Sequence, residues 1–228
     1  MDELTVASTT AFHTLDAFNG GLATELVPAV ESAMEGDHEP WSNLVSQRSD
    51  LNERLKTQGI DDPSAYSTIQ WDPATLLFTT CVELTSDGRP LQLGETLTRE
   101  RFGRFPHGDG SALDYFLEYI RPNRSITDND GQDVYDAIVG SLEQLAHGCE
   151  EQHRGHSRFE DGFGGMQIHG FLSAQAVKEL RKNLASRAWT ASYDEPLDGG
   201  VADVAKHFTT LLKAAERRRV GVALRTHR

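Results

Sequence analysis

The second half of the chain alternates between strand-like and helix-like apolar spacing, and this alternation constrains the fold more than any other feature. Residues 166–171 and 188–193 have the composition of short strands, and residues 220–224 form an apolar closing strand. Between them, Ser173 is placed to cap one helix, and residues 201–215 carry apolar side chains on one face of a long helix. Strand, helix, strand, helix, strand predicts a small sheet with helices packed on it.

The first half is predicted to be mostly helical. Residues 12–34 repeat apolar side chains at three- and four-residue spacings, with Gly20 and Pro28 as interruptions that predict a kink or two helices. Residues 41–55 predict a further helix that stops at Gly59.

One β element is predicted in this half. Residues 76–84 alternate in the way of a strand, with Cys81 on the partly exposed side. The turn formers at residues 86–90 and the leucines at residues 91–97 complete a β-hairpin, because Gly88 adopts a positive φ at little cost. The expected class is therefore α+β, with a helical N-terminal half that contains this hairpin and a C-terminal half formed by a small sheet with packed helices.

A polar, turn-rich segment near residues 121–131 is the predicted boundary between two subdomains, residues 1–124 and residues 125–228. One continuous domain is the alternative. Residues 113–120 before this segment predict a short helix capped by Ser111.

The charge of the chain limits its partners. It has 35 acidic against 22 basic side chains and a net charge of -13, which repels nucleic acid and anionic membranes. No stretch approaches the ~20 apolar residues of a membrane span. The first ten residues are acidic without an apolar run, unlike a signal peptide, so we expect a cytoplasmic protein.

The segment HGCEEQHRGH, residues 147–156, concentrates potential metal ligands. Cys149 continues the apolar stripe of a helix that begins near Val134, so we interpret the segment as the end of that helix, with Cys149 buried. If the helix continued, Cys149, His153 and His156 would share one face. The alternative is zinc or another divalent metal in a metal-dependent hydrolase. The candidate ligands are His153, His156, Glu150 and His169.

The stretch from Gly165 to Leu224 carries a Leu-Ser that opens a helix, an acidic segment, an amphipathic helix and an apolar closing strand. In these features the last third of the chain resembles the C-terminal part of the small bacterial YfbM-like family of unknown function. The resemblance implies an α+β fold and no known catalytic residues.

No catalytic residue and no cofactor are assigned from the sequence. The residues at 154–165 are glycine-rich and predict a flexible loop, and the arginines at 217–219 suit the negative end of a helix dipole. We therefore expect a protein-binding or regulatory module without catalysis, whose partner is another protein. A third hypothesis is a small-molecule sensor with its pocket beneath the hairpin at residues 75–97.

Overall fold

The structure is a computed structural model that describes residues 12–107, 110–123 and 129–227. The acidic N-terminal stretch and residues 124–128 of the predicted boundary lie outside these residues. The helices are α1 (Gly20–Met34), α2 (Glu39–Gln47), α3 (Ser49–Thr57), α4 (Pro73–Cys81), α5 (Thr96–Gly103), α6 (Ala112–Tyr119), α7 (Asn129–His147), α8 (Glu151–Arg154), α9 (Ala174–Leu184) and α10 (Gly200–Arg218). The strands are β1 (Thr14–Phe18), β2 (Ile120–Pro122), β3 (Met166–Leu172), β4 (Trp189–Ala191) and β5 (Gly221–His227).

The main sheet has three antiparallel strands in the order β1-β5-β3, and β2 pairs with β4 in a second, two-stranded sheet. Successive residues of a strand face opposite sides. Along β5, Val222 and Leu224 accordingly join one buried cluster with α6, α7, α9 and α10, while Ala223 joins another with α1 to α4. The main sheet is therefore covered by helices on both faces, and the predicted α+β class is confirmed.

The predicted elements of the second half are confirmed by β3, α9, β4, α10 and β5. The Ser173 hydroxyl accepts a hydrogen bond from the backbone N–H of Ala176 at 3.2 Å, which caps α9 as expected. Ser111 caps α6 in the same way, through the N–H of Asp114 at 3.2 Å. The proposed division into residues 1–124 and 125–228 stays a prediction.

The start of the chain differs from the prediction, because residues 14–18 form strand β1 and not the beginning of a helix. β1 is buried along nearly its whole length, with Leu15 and Ala17 on one face and Asp16 and Phe18 on the other. Apolar side chains therefore occur on both faces of the strand, and their spacing resembles that of a helix. The helix begins at Gly20, where the Asn19 side chain accepts the N–H of Leu22 at 3.0 Å. Pro28 lies inside α1 on its exposed side.

The predicted strand at residues 76–84 is wrong, since residues 73–81 form helix α4. The Asp72 carboxylate accepts the N–H of Thr75 at 2.7 Å, and Pro73 occupies the first turn, which is a strong helix start. Cys81 ends this helix and is buried, whereas the sequence placed it on a partly exposed strand face.

Of the predicted hairpin, the turn and a short pairing next to it are formed, including a hydrogen bond from the N–H of Leu91 to the carbonyl of Glu83 at 2.8 Å. The N–H of Thr85 donates to the carbonyl of Arg89 at 2.7 Å, Gly88 has a φ of 78°, and Leu84 and Pro90 make one isolated bridge. The predicted second strand at residues 91–97 is absent, and Thr96 begins α5. Nothing in the described part of the chain is both long and apolar enough to serve as a membrane-spanning helix.

Candidate functional site

Helix α7 ends at His147, and the chain then turns away from the helix axis. The N–H of Cys149 donates to the carbonyl of His169 in β3 at 2.7 Å, and a separate short helix, α8, begins at Glu151. Cys149 is fully buried, as expected from its place on the apolar stripe. Because the helix does not continue, the shared face expected for Cys149, His153 and His156 is not formed.

The turn after α7 assembles a chain of alternating carboxylates and imidazoles. His147 lies between two carboxylates, with its Nε2 3.1 Å from Asp114 Oδ1 and its Nδ1 3.0 Å from Glu150 Oε2. Glu150 then reaches His169, whose Nδ1 lies 2.7 Å from Glu150 Oε1. The other ring nitrogen of His169 is 3.0 Å from the hydroxyl of Thr226 in β5. We call these five residues the imidazole–carboxylate chain.

The charges of this chain stabilise one another. Hydrogen bonds to Asp114 and Glu150 raise the pKa of His147 to about 10, although burial acts against this. Burial alone would raise the pKa of Glu150, but hydrogen bonds and charge from His147 and His169 outweigh it and lower that pKa to about 2. Burial would also raise the pKa of Asp114, but hydrogen bonds with His147 and Ser111 and the nearby positive charge together outweigh it and lower that pKa. At neutral pH, His147 is therefore an imidazolium held between two carboxylates.

The inner end of the chain has the order of groups found in a hydrolytic triad: carboxylate, imidazole, hydroxyl. A nucleophile must reach its substrate, however, and Thr226 is only 3% exposed. The contacts instead connect α6, the end of α7, β3 and β5, which are far apart in sequence. This arrangement favours a structural role over a catalytic one, in which the imidazole–carboxylate chain acts as a brace that holds these elements together.

The four residues predicted as metal ligands do not converge. Glu150 and His169 bond to each other in the imidazole–carboxylate chain, and His153 stacks on His147 with ring centroids 6.2 Å apart. His156 lines one surface cavity together with His153, but its Nε2 lies 2.9 Å from Glu31 Oε1 in α1. Within residues 12–107, 110–123 and 129–227, no group of three or more His, Cys, Asp or Glu side chains is arranged to hold a metal ion.

A small cavity lies beside the segment predicted as the hairpin. It has a volume of about 120 Å³ and is lined by Arg54, Thr80 and Glu83 among others. Pockets for drug-sized ligands usually measure about 300–1,000 Å³. This cavity is therefore too small to be the predicted sensor pocket. A larger cleft, of about 570 Å³, is lined by Gly94 and Glu95 at the end of the same segment and by α10.

An exposed aromatic side chain marks a different part of the surface. Phe163 is 83% exposed in the short 3-10 helix Phe163–Gly165, within the predicted flexible loop. Its backbone N–H donates to Asp72 Oδ2 at 3.2 Å and to Thr75 Oγ1 at 3.0 Å. The N–H of Gly162 donates to the carbonyl of Met166 at 2.7 Å and closes the turn. We call residues 162–165 the Phe163 turn.

The backbone of this turn requires glycine. Gly164 and Gly165 have φ values of 69° and 72°, and a Cβ on Gly162 would lie 2.9 Å from the Cβ of Ala74. The sequence shows the glycines, but it does not show that the turn is anchored by Asp72, which lies some ninety residues away. The Asp72 carboxylate both caps α4 and accepts the hydrogen bond from the N–H of Phe163. An apolar ring is thus presented to solvent on a backbone that is hydrogen-bonded in place.

Comparisons with protein-family models, with curated proteins and with solved structures found no match for this chain. The resemblance of its last third to the YfbM-like family stays a prediction. Inferences about its function therefore depend on the geometry of its own residues.

Proposed function

We propose that this chain is a cytoplasmic protein-binding module that docks on its partner through the Phe163 turn. The observation that carries the proposal is the combination of an exposed aromatic ring with an anchored backbone at Phe163. Exposed aromatic anchors that enter a pocket on the partner supply much of the binding energy in protein interfaces.

The anchored backbone favours binding for an energetic reason. Burying a phenylalanine side chain contributes roughly 1.5–3 kcal/mol. Ordering a mobile loop would consume part of that gain. Because the N–H of Phe163 is already hydrogen-bonded to Asp72 and Thr75, the turn loses less conformational entropy when a partner binds.

The charge around the turn indicates the chemistry of the partner. Glu160 and Asp161 directly precede the turn, Asp72 lies beneath it, and the whole chain carries a net charge of -13. Complementary potentials steer association and suppress wrong partners. The partner is therefore a protein with an apolar pocket for the ring and basic residues around that pocket.

The test uses a photo-reactive phenylalanine analogue at position 163 in the native host, with the same analogue at position 193 as the matched control. Tyr193 is also fully exposed, but it lies in the loop after β4. We expect a protein that crosslinks from position 163 and not from position 193. Identical crosslinking patterns from the two positions would contradict the proposal.

The identified partner is then purified and its affinity measured by calorimetry. We expect Phe163→Ala to weaken binding by at least about tenfold, the effect of losing roughly 1.4 kcal/mol. Tyr193→Ala should leave the affinity within about threefold, because side chains outside the interface contribute little. Equal affinities for the wild type and Phe163→Ala would remove the turn from the interface.

A further inference from the structure

A basic cleft lies between the start of α5 and the last turns of α10. It has a volume of about 570 Å³, and its walls include Thr98 from α5 and Thr210, Lys213, Arg217 and Arg218 from α10. Thr210, Lys213 and Arg217 follow one another at three- and four-residue spacings and so occupy one face of α10, and Arg218 lies next to Arg217 at the edge of that face. This surface is separate from both the imidazole–carboxylate chain and the Phe163 turn.

The cleft exists because the chain before α5 approaches α10 closely. Gly94 has a φ of 69°, and a Cβ at this position would lie 2.9 Å from Cδ2 of Leu211. Glycine is therefore required for segment 94–95 to lie against α10 and form one wall of the cleft. The other wall is the exposed face that carries Lys213 and Arg217.

The charge of the cleft is opposite to that of the protein. Three cations line it against one carboxylate, that of Glu95, which leaves a local charge of +2 (three minus one) on a chain of net charge -13. Clefts lined by one sign of charge concentrate ligands of the opposite sign. The positive end of the α5 dipole adds to this potential, and the negative end of the α10 dipole reduces it.

These cations are not used for ion pairs within the described residues. Lys213 and Arg217 form no salt bridge there, and Arg218 only donates a hydrogen bond to the carbonyl of Ala214 at 3.4 Å. The neighbouring acid on α10, Glu216, pairs with Arg181 of α9 instead. Compensation of the helix dipole explains cations in the last turn of α10, but it does not explain Lys213, which lies more than a turn earlier.

The size and charge define the class of ligand. A volume of about 570 Å³ suits a small molecule, and the local charge is too low to hold a nucleic acid on so acidic a protein. Arginine binds phosphate oxygens through a planar fork, and lysine binds them as a point charge. Glu95 accepts hydrogen bonds, so it suits hydroxyl groups of the same ligand.

We propose that the basic cleft binds a small phosphate monoester that carries hydroxyl groups, such as a sugar phosphate. Lys213 and Arg217 contact the phosphate, and Glu95 contacts the hydroxyls. This proposal is independent of the protein-binding proposal, because none of its residues belongs to the Phe163 turn.

The test measures binding of glucose 6-phosphate, glucose and inorganic phosphate to the full chain by calorimetry in low salt. We expect glucose 6-phosphate to bind at one site with a Kd below about 1 mM and glucose not to bind. Inorganic phosphate should bind at least about tenfold more weakly than the ester, since it lacks the contacts to Glu95.

Variants locate the site. The double variant Lys213→Gln with Arg217→Gln should weaken the binding of glucose 6-phosphate by at least about tenfold. The control is Lys178→Gln with Lys182→Gln, which removes the same charge at the same spacing from exposed positions on α9. We expect the control to stay within about threefold of wild type, because Lys178 and Lys182 do not line the cleft and so would not contact the ligand. All of the exchanged side chains are exposed, so both variants should unfold at the wild-type temperature.

Three outcomes would overturn the proposal. The first is no detectable binding of glucose 6-phosphate up to about 5 mM. The second is equal affinity for the ester and inorganic phosphate. The third is equal weakening in the cleft variant and the α9 control, which would show that only the long-range charge matters.

Discussion

Replacing Glu150 by glutamine tests whether the imidazole–carboxylate chain is a structural brace. The substitution keeps the shape of the side chain but removes the charge that His147 and His169 contact at 3.0 and 2.7 Å. Hydrogen bonds to charged groups contribute about 1.5–3 kcal/mol each. Glutamine retains one acceptor oxygen, and the Glu150 side chain is 20% exposed. We therefore expect the free energy of unfolding to fall by about 2 kcal/mol, which lowers Tm by about 4–8 °C.

The pH dependence of this loss is specific to the brace. The pKa of Glu150 is about 2 in the folded chain against an ordinary 4.5, so its contribution is full above pH 4.5 and is lost as pH falls toward 2. The pKa of His147 is raised from 6.5 to about 10, so its contribution is full below pH 6.5 and is lost as pH rises toward 10. The difference between wild type and Glu150→Gln should therefore be greatest between pH 4.5 and 6.5.

Urea unfolding followed by tryptophan fluorescence measures the effect at about pH 5.5, with further series at about pH 3 and pH 9. The matched control is Glu143→Gln, an exposed position on α7. We expect the control to change stability by less than about 0.5 kcal/mol at every pH. The brace is refuted if Glu150→Gln behaves like Glu143→Gln at about pH 5.5, or if its loss is the same at all three pH values.

Three further experiments test the packing. Gly170→Ala should lower the free energy of unfolding by several kcal/mol, because the new Cβ would lie 2.1 Å from a backbone carbonyl oxygen of α7. Gly140 lies in open space on α7, so Gly140→Ala should raise the free energy of unfolding by up to about 1 kcal/mol. Urea unfolding measures both changes. Asp72→Ala should lower the free energy of unfolding by about 1 kcal/mol, because α4 loses its cap. It should also speed proteolysis near the Phe163 turn, and an unchanged rate of cleavage would contradict the role of Asp72 as an anchor. Burial raises the pKa of both Cys81 and Cys149 to about 12, so iodoacetamide at neutral pH should label them only after denaturation, as mass spectrometry would show.

Elements with a local start signal and a clear period were predictable. The hydroxyl of Ser173, the apolar face of α10 and the stripe that ends at Cys149 each act within a few turns of chain, and the structure has them where the sequence indicates. The strand prediction for residues 76–84 failed although Asp72 and Pro73 are a recognisable helix start. The run after them is buried on nearly every side, and apolar periodicity cannot distinguish a fully buried helix from a strand.

The candidate sites were only partly predictable. The sequence directed attention to Glu150 and His169, but it gave no indication that Asp114 and Thr226 complete their chain of contacts. From the sequence, the arginines at 217–219 indicate only the end of a helix. The basic cleft is formed in the tertiary structure, where Gly94 allows segment 94–95 to lie against α10.

The sequence by itself determined the class of the fold, the helices and strands of the second half, and the acidic charge that any partner meets. These depend on side-chain spacing, caps and composition, which act within a few residues. Only the tertiary structure decided that β1 pairs with β5, that Asp114 of α6 contacts His147 of α7, and that Phe163 is anchored from α4. Such contacts join residues tens to hundreds of positions apart, and they form only where burial of both faces of the sheet brings those segments together.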